Sequence, residues 1–334
     1  MQKLMIIIML VLVGCTEEYT VPNHSPGMVQ VVDDLLMVAY GEGGLVISNE
    51  NTGEILEQIF PPRGMNSIDD FAFTDDLIFV LDSRNRDFVA VYLFVNGEAE
   101  LVTPPIPVEG GPFNGISARN GNLVIAGGTT FLNRFRYSSS GALSNSISFG
   151  RDRGHPDVLL SSDGQAAFIS TDFGIGLDIE RFGVMSLLIG DDLEIPSVIS
   201  ELGIEAAGFT EGVTTPIGFP IQTTIYEDQL LVAHGGGLTI IRLANNYVFE
   251  SSSTFSIGIN ANAIAVNGND AYITGYQESN PVLLQVDLSD PDNPIIISQQ
   301  PLETNGSIPT SIAIGSNDVY VATGNAGLLK IPFN

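Results

Sequence analysis

Seven stretches of the chain repeat one alternation of apolar and polar positions. Each has an apolar strand, a turn of Asp, Asn or Gly, a strand of aliphatic and aromatic residues, a Gly-rich turn and a third strand. The first reads VVDDLLMVAYGEGGLVIS from Val31 and the last IAIGSNDVYVATGNAGLLKIPF from Ile312. The second strands centre on Met37, Phe79, Val124, Phe168, Leu231, Tyr272 and Tyr320, at intervals of 41 to 48 residues apart from one of 63 after Phe168. They are apolar on both faces, a pattern that calls for packing on both sides. Turns such as Asn120-Gly121 and Asp163-Gly164 offer the positive φ that tight hairpins need. A fourth, more polar strand follows most units, as at 55–60 and 247–255, and polarity there discourages pairing with other chains.

A period in the forties with several short strands per unit predicts an all-β fold, a single β-propeller over residues 27–334. Seven blades are expected, with six or eight as the alternatives. The last unit has three strands before Asn334, so closure calls for an N-terminal strand, expected at 19–22. Residues 191–218, rich in Gly, Glu and Thr, account for the long interval and are expected to form an insertion loop.

Composition narrows the partners. Hydrophobic residues make up 44% of the chain and charged ones 15%, which excludes a disordered acidic tail. The formal charge is −27, and one unit more negative without Lys3. Such a chain repels nucleic acid, whose phosphates demand Lys and Arg, and gains nothing by charge from an anionic membrane surface.

The N-terminus supplies another attachment. Lys3 precedes an apolar run from Leu4 to Val13, then Gly14 and the only cysteine, Cys15. The run is too short to cross a bilayer, which takes roughly 20 residues, and has the outline of a secretory signal over 1–14. Leu12-Val13-Gly14-Cys15 resembles the lipobox of bacterial lipoproteins. That resemblance implies cleavage before Cys15 and acyl chains, palmitate among them, on its thiol and amino group. Residues 15–26 are then the lipidated cysteine, a short tether and the closing strand. The lack of Asp after Cys15 resembles outer-membrane sorting, and Glu17-Glu18 is similar to the surface-export signal of Bacteroidetes lipoproteins. These resemblances imply an envelope protein at the outer membrane, periplasmic or surface-exposed.

The segment from Leu284 to Pro294, L-Q-V-D-L-S-D-P-D-N-P, resembles the LVIVD repeat of bacterial surface propellers. So do A-Y-I-T-G from Ala271, V-Y-V-A-T-G from Val319 and the Gly-Leu steps at Gly44, Gly237 and Gly327. The resemblance implies fold and surface location and no defined chemistry. The absence of any Trp argues against kelch and tryptophan-aspartate propellers.

Catalytic motifs are few. His24, His155 and His234 have no metal-ligand spacing, and no G-x-S-x-G elbow, Walker loop or dinucleotide fingerprint occurs. His155, in the charged stretch 151–157, is the one candidate for catalysis; His234, beside glycines, reads as a solvated turn residue. No cofactor is expected; Ca²⁺ is the one ion to weigh, at Asp287, Asp290 and Asp292, which equally suit turn capping. Counting back about ten residues from the second-strand centres gives Asp69, Asn114, Asp157, Gln222, Asn262 and Thr310. In a propeller these heads of inner strands converge on the channel, where they could bind a polar ligand, a sugar or a cation, or solvate the mouth and satisfy backbone groups. The expected function is that of a lipid-anchored binding module for a protein or glycan, without catalysis. The alternative is a carbohydrate- or lactone-active enzyme using Asp69, Asp157 and His155.

Overall fold

The computed structural model describes residues 17–19, 27–83, 88–108, 113–127, 131–149, 157–174, 180–189, 197–204, 222–235 and 237–333. Residues 28–59, 70–107, 113–149, 157–204, 222–255 and 260–301 each form a four-stranded antiparallel meander. Residues 311–332 form three strands of a seventh sheet, whose fourth strand is Glu17–Tyr19. These are the blades of a seven-bladed propeller, numbered one to seven in the order just given. Within a blade the strands run from inner to outer.

The apolar residues explain the ring. In blade two, Leu77, Ile78, Phe79, Val80 and Leu81 are all fully buried. Successive side chains leave opposite faces of a strand, so Ile78 and Val80 pack towards blade one while Leu77, Phe79 and Leu81 pack towards blade three. The same division recurs around the molecule. Seven apolar clusters fill the seven gaps between neighbouring blades, including the one that joins Val29, Val38 and Tyr40 of blade one to Tyr320 and Leu328 of blade seven. The core is thus a circle of interlayers around a channel.

The Gly-Leu steps have a steric cause. Gly44 and Gly237 have φ of +85° and +137°, and a Cβ on either would collide with the outer-strand carbonyl of Ile59 or Phe255. Leu45 and Leu238 then enter the third strand fully buried.

Two expectations are corrected. The closing strand is Glu17–Tyr19, pairing Glu17 with Lys330 and Tyr19 with Leu328, rather than 19–22. Residues 20–26 lie outside the described ones. Within the expected insertion 191–218, Ser197–Ile204 is the outer strand of blade four, paired along Glu180–Leu188. Four strands complete that blade, and the remaining residues of 191–218 lie outside the described ones. The signal segment 1–14 and Cys15 do so too.

Removing the closing strand leaves the edge of Leu328–Pro332 unpaired. A chain beginning at residue 27 is expected to lose about 1–3 kcal/mol relative to one beginning at residue 16, from ladder bonds contributing roughly 0.5–1.5 kcal/mol each. By calorimetry that is a fall in Tm of about 2–5 °C; equal melting temperatures would show that the strand does not close the ring.

Candidate functional site

The inner strand of each blade has one edge that no strand pairs, and its N–H and C=O groups need partners from elsewhere. Side chains of the neighbouring blade supply them. Ser117 Oγ of blade three accepts from Leu160 N of blade four at 3.1 Å. Asp157 Oδ2 of blade four accepts from Thr223 N at 3.0 Å and Thr223 Oγ1 at 3.3 Å in blade five. Gln222 Oε1 of blade five accepts from Ile264 N of blade six at 2.9 Å. Asn262 of blade six donates through Nδ2 to the carbonyl of Pro309 ahead of blade seven, and its Oδ1 accepts from Thr274 Oγ1 at 3.1 Å. Ser311 Oγ of blade seven accepts from Val29 N of blade one at 3.3 Å. The Asp70 carboxyl of blade two lies near enough to the backbone N–H of Ile116 in blade three to be favoured by it in its charged form. Blades one and two are joined through backbone, Gly41 with Ile68, at 2.8 and 3.0 Å. Every junction of the ring carries a polar clasp beside its apolar interlayer.

The clasps border a cavity of about 570 Å³ along the channel, whose lining includes Asp69, Asp70, Asp157, Gln222, Asn262 and Thr310. Five of the six ring residues expected from the sequence are therefore brought together. Asn114 lies on the inner strand of blade three, at a bulge, and its side chain is outside the described residues. His155 is outside them as well.

The five do not form one ring. Pairing with the second strand places Met28, Asp70, Gly115, Asp157, Gln222, Ala263 and Ser311 at one level, opposite Ala39, Leu81, Ala126, Ser170, Ala233, Thr274 and Ala322. Asp69, Asn114, Asn262 and Thr310 precede that level by one residue. Blade four is two residues longer between inner and second strand, since Asp157 faces Ser170 where Asp70 faces Leu81. Counting a fixed distance back blurred the levels and missed Asp70. The signal for it is the register, eleven residues before the strand partner in the other six blades.

Asp69 has a more local role. Its Oδ2 accepts from Ser67 Oγ at 2.7 Å and from Ser83 N and Oγ at 3.0 and 3.1 Å. Buried Asp82 accepts from Asn66 N at 2.6 Å and Ser67 Oγ at 3.0 Å. Together they pin the crossover from blade one to the end of the second strand of blade two.

Burial raises the Asp70 carboxyl well above its usual range; the N–H groups of Phe71 and Ile116 oppose this, and the negative charges of Asp157 and Asp69 add to it. Burial pushes Asp157 up to about 6 against bonds from Thr223 and Val158. The channel wall thus has carboxyls of raised pKa, a polar lining and a volume suited to a small polar ligand.

The calcium candidates are occupied by their own turn. Asp287 Oδ1 accepts from Ser289 N at 2.8 Å, and the serine holds that carboxyl below the usual range. Asp290 accepts from Asp292 N at 3.2 Å and Asn293 Nδ2 at 2.9 Å, and Asp292 lies 4.0 Å from Arg242. Among the described residues no group of three or more His, Cys, Asp or Glu is placed to hold a metal ion. His234 is not a solvated turn residue. It ends the second strand of blade five, buried, with Nε2 2.9 Å from Thr239 Oγ1, and burial lowers its pKa to about 4. The turn glycines follow it rather than contain it.

A carboxyl with a folded pKa above its unfolded value of about 4 contributes most below pH ~4, and that contribution is lost as the pH rises through about 6. Stability is therefore expected to fall between pH 5 and 7.5 in part through Asp157. Asp157→Asn should shrink the Tm difference between those two pH values; an unchanged difference would contradict the placement of this carboxyl.

Comparison with known proteins identifies the architecture and no more. No protein-family model and no curated protein matches the chain. Among solved structures, it resembles the WD40 repeats of RRP9, with a TM-score of 0.69 at 11% identity over 96% of this chain and 98% of that one. It also resembles the β-propeller domain of Cps50 (Swd1) from Myceliophteria thermophila, with a TM-score of 0.67 at 12% identity over 93% and 96%. At such identity the likeness is one of fold alone: the chain is a seven-bladed β-propeller.

Proposed function

We propose that this chain is a lipid-anchored binding module of the bacterial envelope, held at the outer membrane by acyl chains on Cys15 and presenting its ring to a protein or glycan. The observation that carries the reading is where the closing strand lies. Glu17–Tyr19 is the outermost strand of blade seven, and Thr16 alone separates it from Cys15. The lipobox-like cysteine is therefore one residue away in sequence from a structural strand, a tether short enough for acyl chains on it to fasten the ring without a stalk. Several chains contributing about 0.8 kcal/mol per buried CH₂ suffice for stable attachment. Use of Asp157, Gln222 and Asn262 as clasps between blades gives these residues a structural task that a catalytic role would have to displace. The propeller fold itself is typical of interaction modules.

The enzyme reading retains one observation in its favour. Asp157, with its pKa near 6, lines the same cavity as Asp69, and acid–base chemistry on a glycan needs two carboxyls at a set separation. Hydrolysis of a glycan or lactone that vanishes in Asp157→Asn would move the assignment there.

Mass spectrometry of protein purified from bacterial membranes tests the anchor. The N-terminal peptide is expected to begin at a Cys15 carrying acyl mass and to incorporate a palmitate label, whereas Cys15→Ala should leave the 334-residue precursor uncut and unlabelled. A mature N-terminus elsewhere, or a free Cys15 thiol, would overturn it.

A further inference from the structure

Large apolar side chains exposed among the described residues are not spread evenly around the ring. Leu56 and Phe60 lie on blade one, Ile295, Ile296 and Ile297 on blade six, and Ile308 in the link from blade six to blade seven. The other three, Val95, Leu101 and Leu188, are divided between blades two and four. The concentration thus flanks blade seven, whose outermost strand leads to Cys15.

Blade six shows the feature most plainly. Its outer strand, Ile295–Pro301, reads I-I-I-S-Q-Q-P and carries no charge. Ile295 is 63% exposed and Ile297 53%. An outermost strand normally guards its free edge with charge: Glu98 and Glu100 stand in that of blade two, Glu201 in blade four and Glu250 in blade five. Blade three, also uncharged, exposes Ser144 and Ser148. In blade one the single charge, Glu57, is turned towards blade two, where its carboxylate accepts from Ala99 N at 3.4 Å. Phe60, just past that strand, is 59% exposed but follows Ile59, which pairs with Leu45 at the start of the third strand, and so lies at the face of the ring away from Ile295.

Strand direction places the patch beside the anchor. The third strands of blades six and seven run the same way, ending at Asp287 and Pro332. Ile295 pairs with Asp287, and Glu17 pairs with Lys330. The chain therefore enters the closing strand from the face of the ring on which the isoleucines begin. Between the two blades Phe333 packs on Tyr272, with ring centroids 5.6 Å apart, so the rim continues from one to the other.

We propose that the rim formed by blades six and seven lies against the bilayer that holds the acyl chains, with Ile295, Ile296 and Ile297 beside the anchored strand. This rests on the lipid-anchor reading above. The occupant is a lipid surface because the patch borders the point where acyl chains enter the membrane. Its side chains are aliphatic, and a chain of charge −27 gains nothing from anionic headgroups. Exposed apolar side chains of this kind settle at the boundary between headgroups and acyl chains.

The test uses the full lipidated protein in phosphatidylcholine vesicles. Its one native cysteine is blocked by acylation, so a thiol-reactive fluorophore reports single introduced sites: Ile296→Cys and Ile297→Cys on the rim, Leu101→Cys and Leu188→Cys away from it. Nitroxide lipids are expected to quench the two rim sites at least threefold more strongly than the other two. Equal quenching at all four sites, with acyl mass present on Cys15, overturns the rim contact and leaves the anchor standing. A chain without acyl mass, recognised also by dye on Cys15, overturns the anchor and this contact with it.

Discussion

An inner strand with one unpaired edge is the constraint on which the ring depends. A blade satisfies its backbone everywhere except at that edge and at its outermost one. Buried N–H groups left without partners cost far more than a made bond returns. The inner edge is answered by the next blade: Leu160 N by Ser117, Thr223 N by Asp157, Ile264 N by Gln222 and Val29 N by Ser311. The outer edge of blade seven is answered by Glu17–Tyr19. Apolar interlayers supply most of the burial, but they are non-directional. The clasps fix which backbone group meets which neighbour, and so set the stagger of the blades.

This explains why polar residues head apolar strands. Asp157, Gln222 and Asn262 look like a ligand ring in the sequence, and they do border the channel. Their partners, however, are mostly backbone groups of the adjacent blade. A carboxylate serves this role at a cost, since the clasp buries a charge, and its raised pKa is the sign of that cost. A ligand in the channel would meet a wall that is polar yet already largely engaged.

Much of the fold was legible because its signals are local. Met37, Phe79, Val124, Phe168, Leu231, Tyr272 and Tyr320 stand at one register in seven blades, each two residues before the second-strand partner of the inner level. Period-two burial on both faces wrote that register into the sequence. The Gly-Leu steps were legible for a steric reason, visible at Gly44 and Gly237. The ring of site residues was less so. The level lies nine residues before the strand centre in six blades and eleven in blade four, so a count of about ten passes over Asp70 and merges two levels. Contacts between blades join residues about 42 to 280 positions apart, as with Gln222 and Ile264 or Ser311 and Val29, and leave no local trace. His234 was misjudged because glycines on its C-terminal side hide that it ends a buried strand. Ser197–Ile204 was read as loop because an outer strand needs no apolar face and resembles one in composition.

The account rests on the clasps being real bonds rather than polar groups idling beside water. Native-state hydrogen exchange of the inner-strand amides measures this directly. The N–H groups of Val29, Leu160, Thr223 and Ile264 are bonded to side chains of the neighbouring blade and not to the ladder of their own sheet, so without clasps they would exchange like solvent-exposed amides. The account predicts protection within an order of magnitude of ladder amides in the second strands, and a selective loss of protection at Ile264 in Gln222→Ala. Fast exchange at all four amides in the unaltered protein would contradict it.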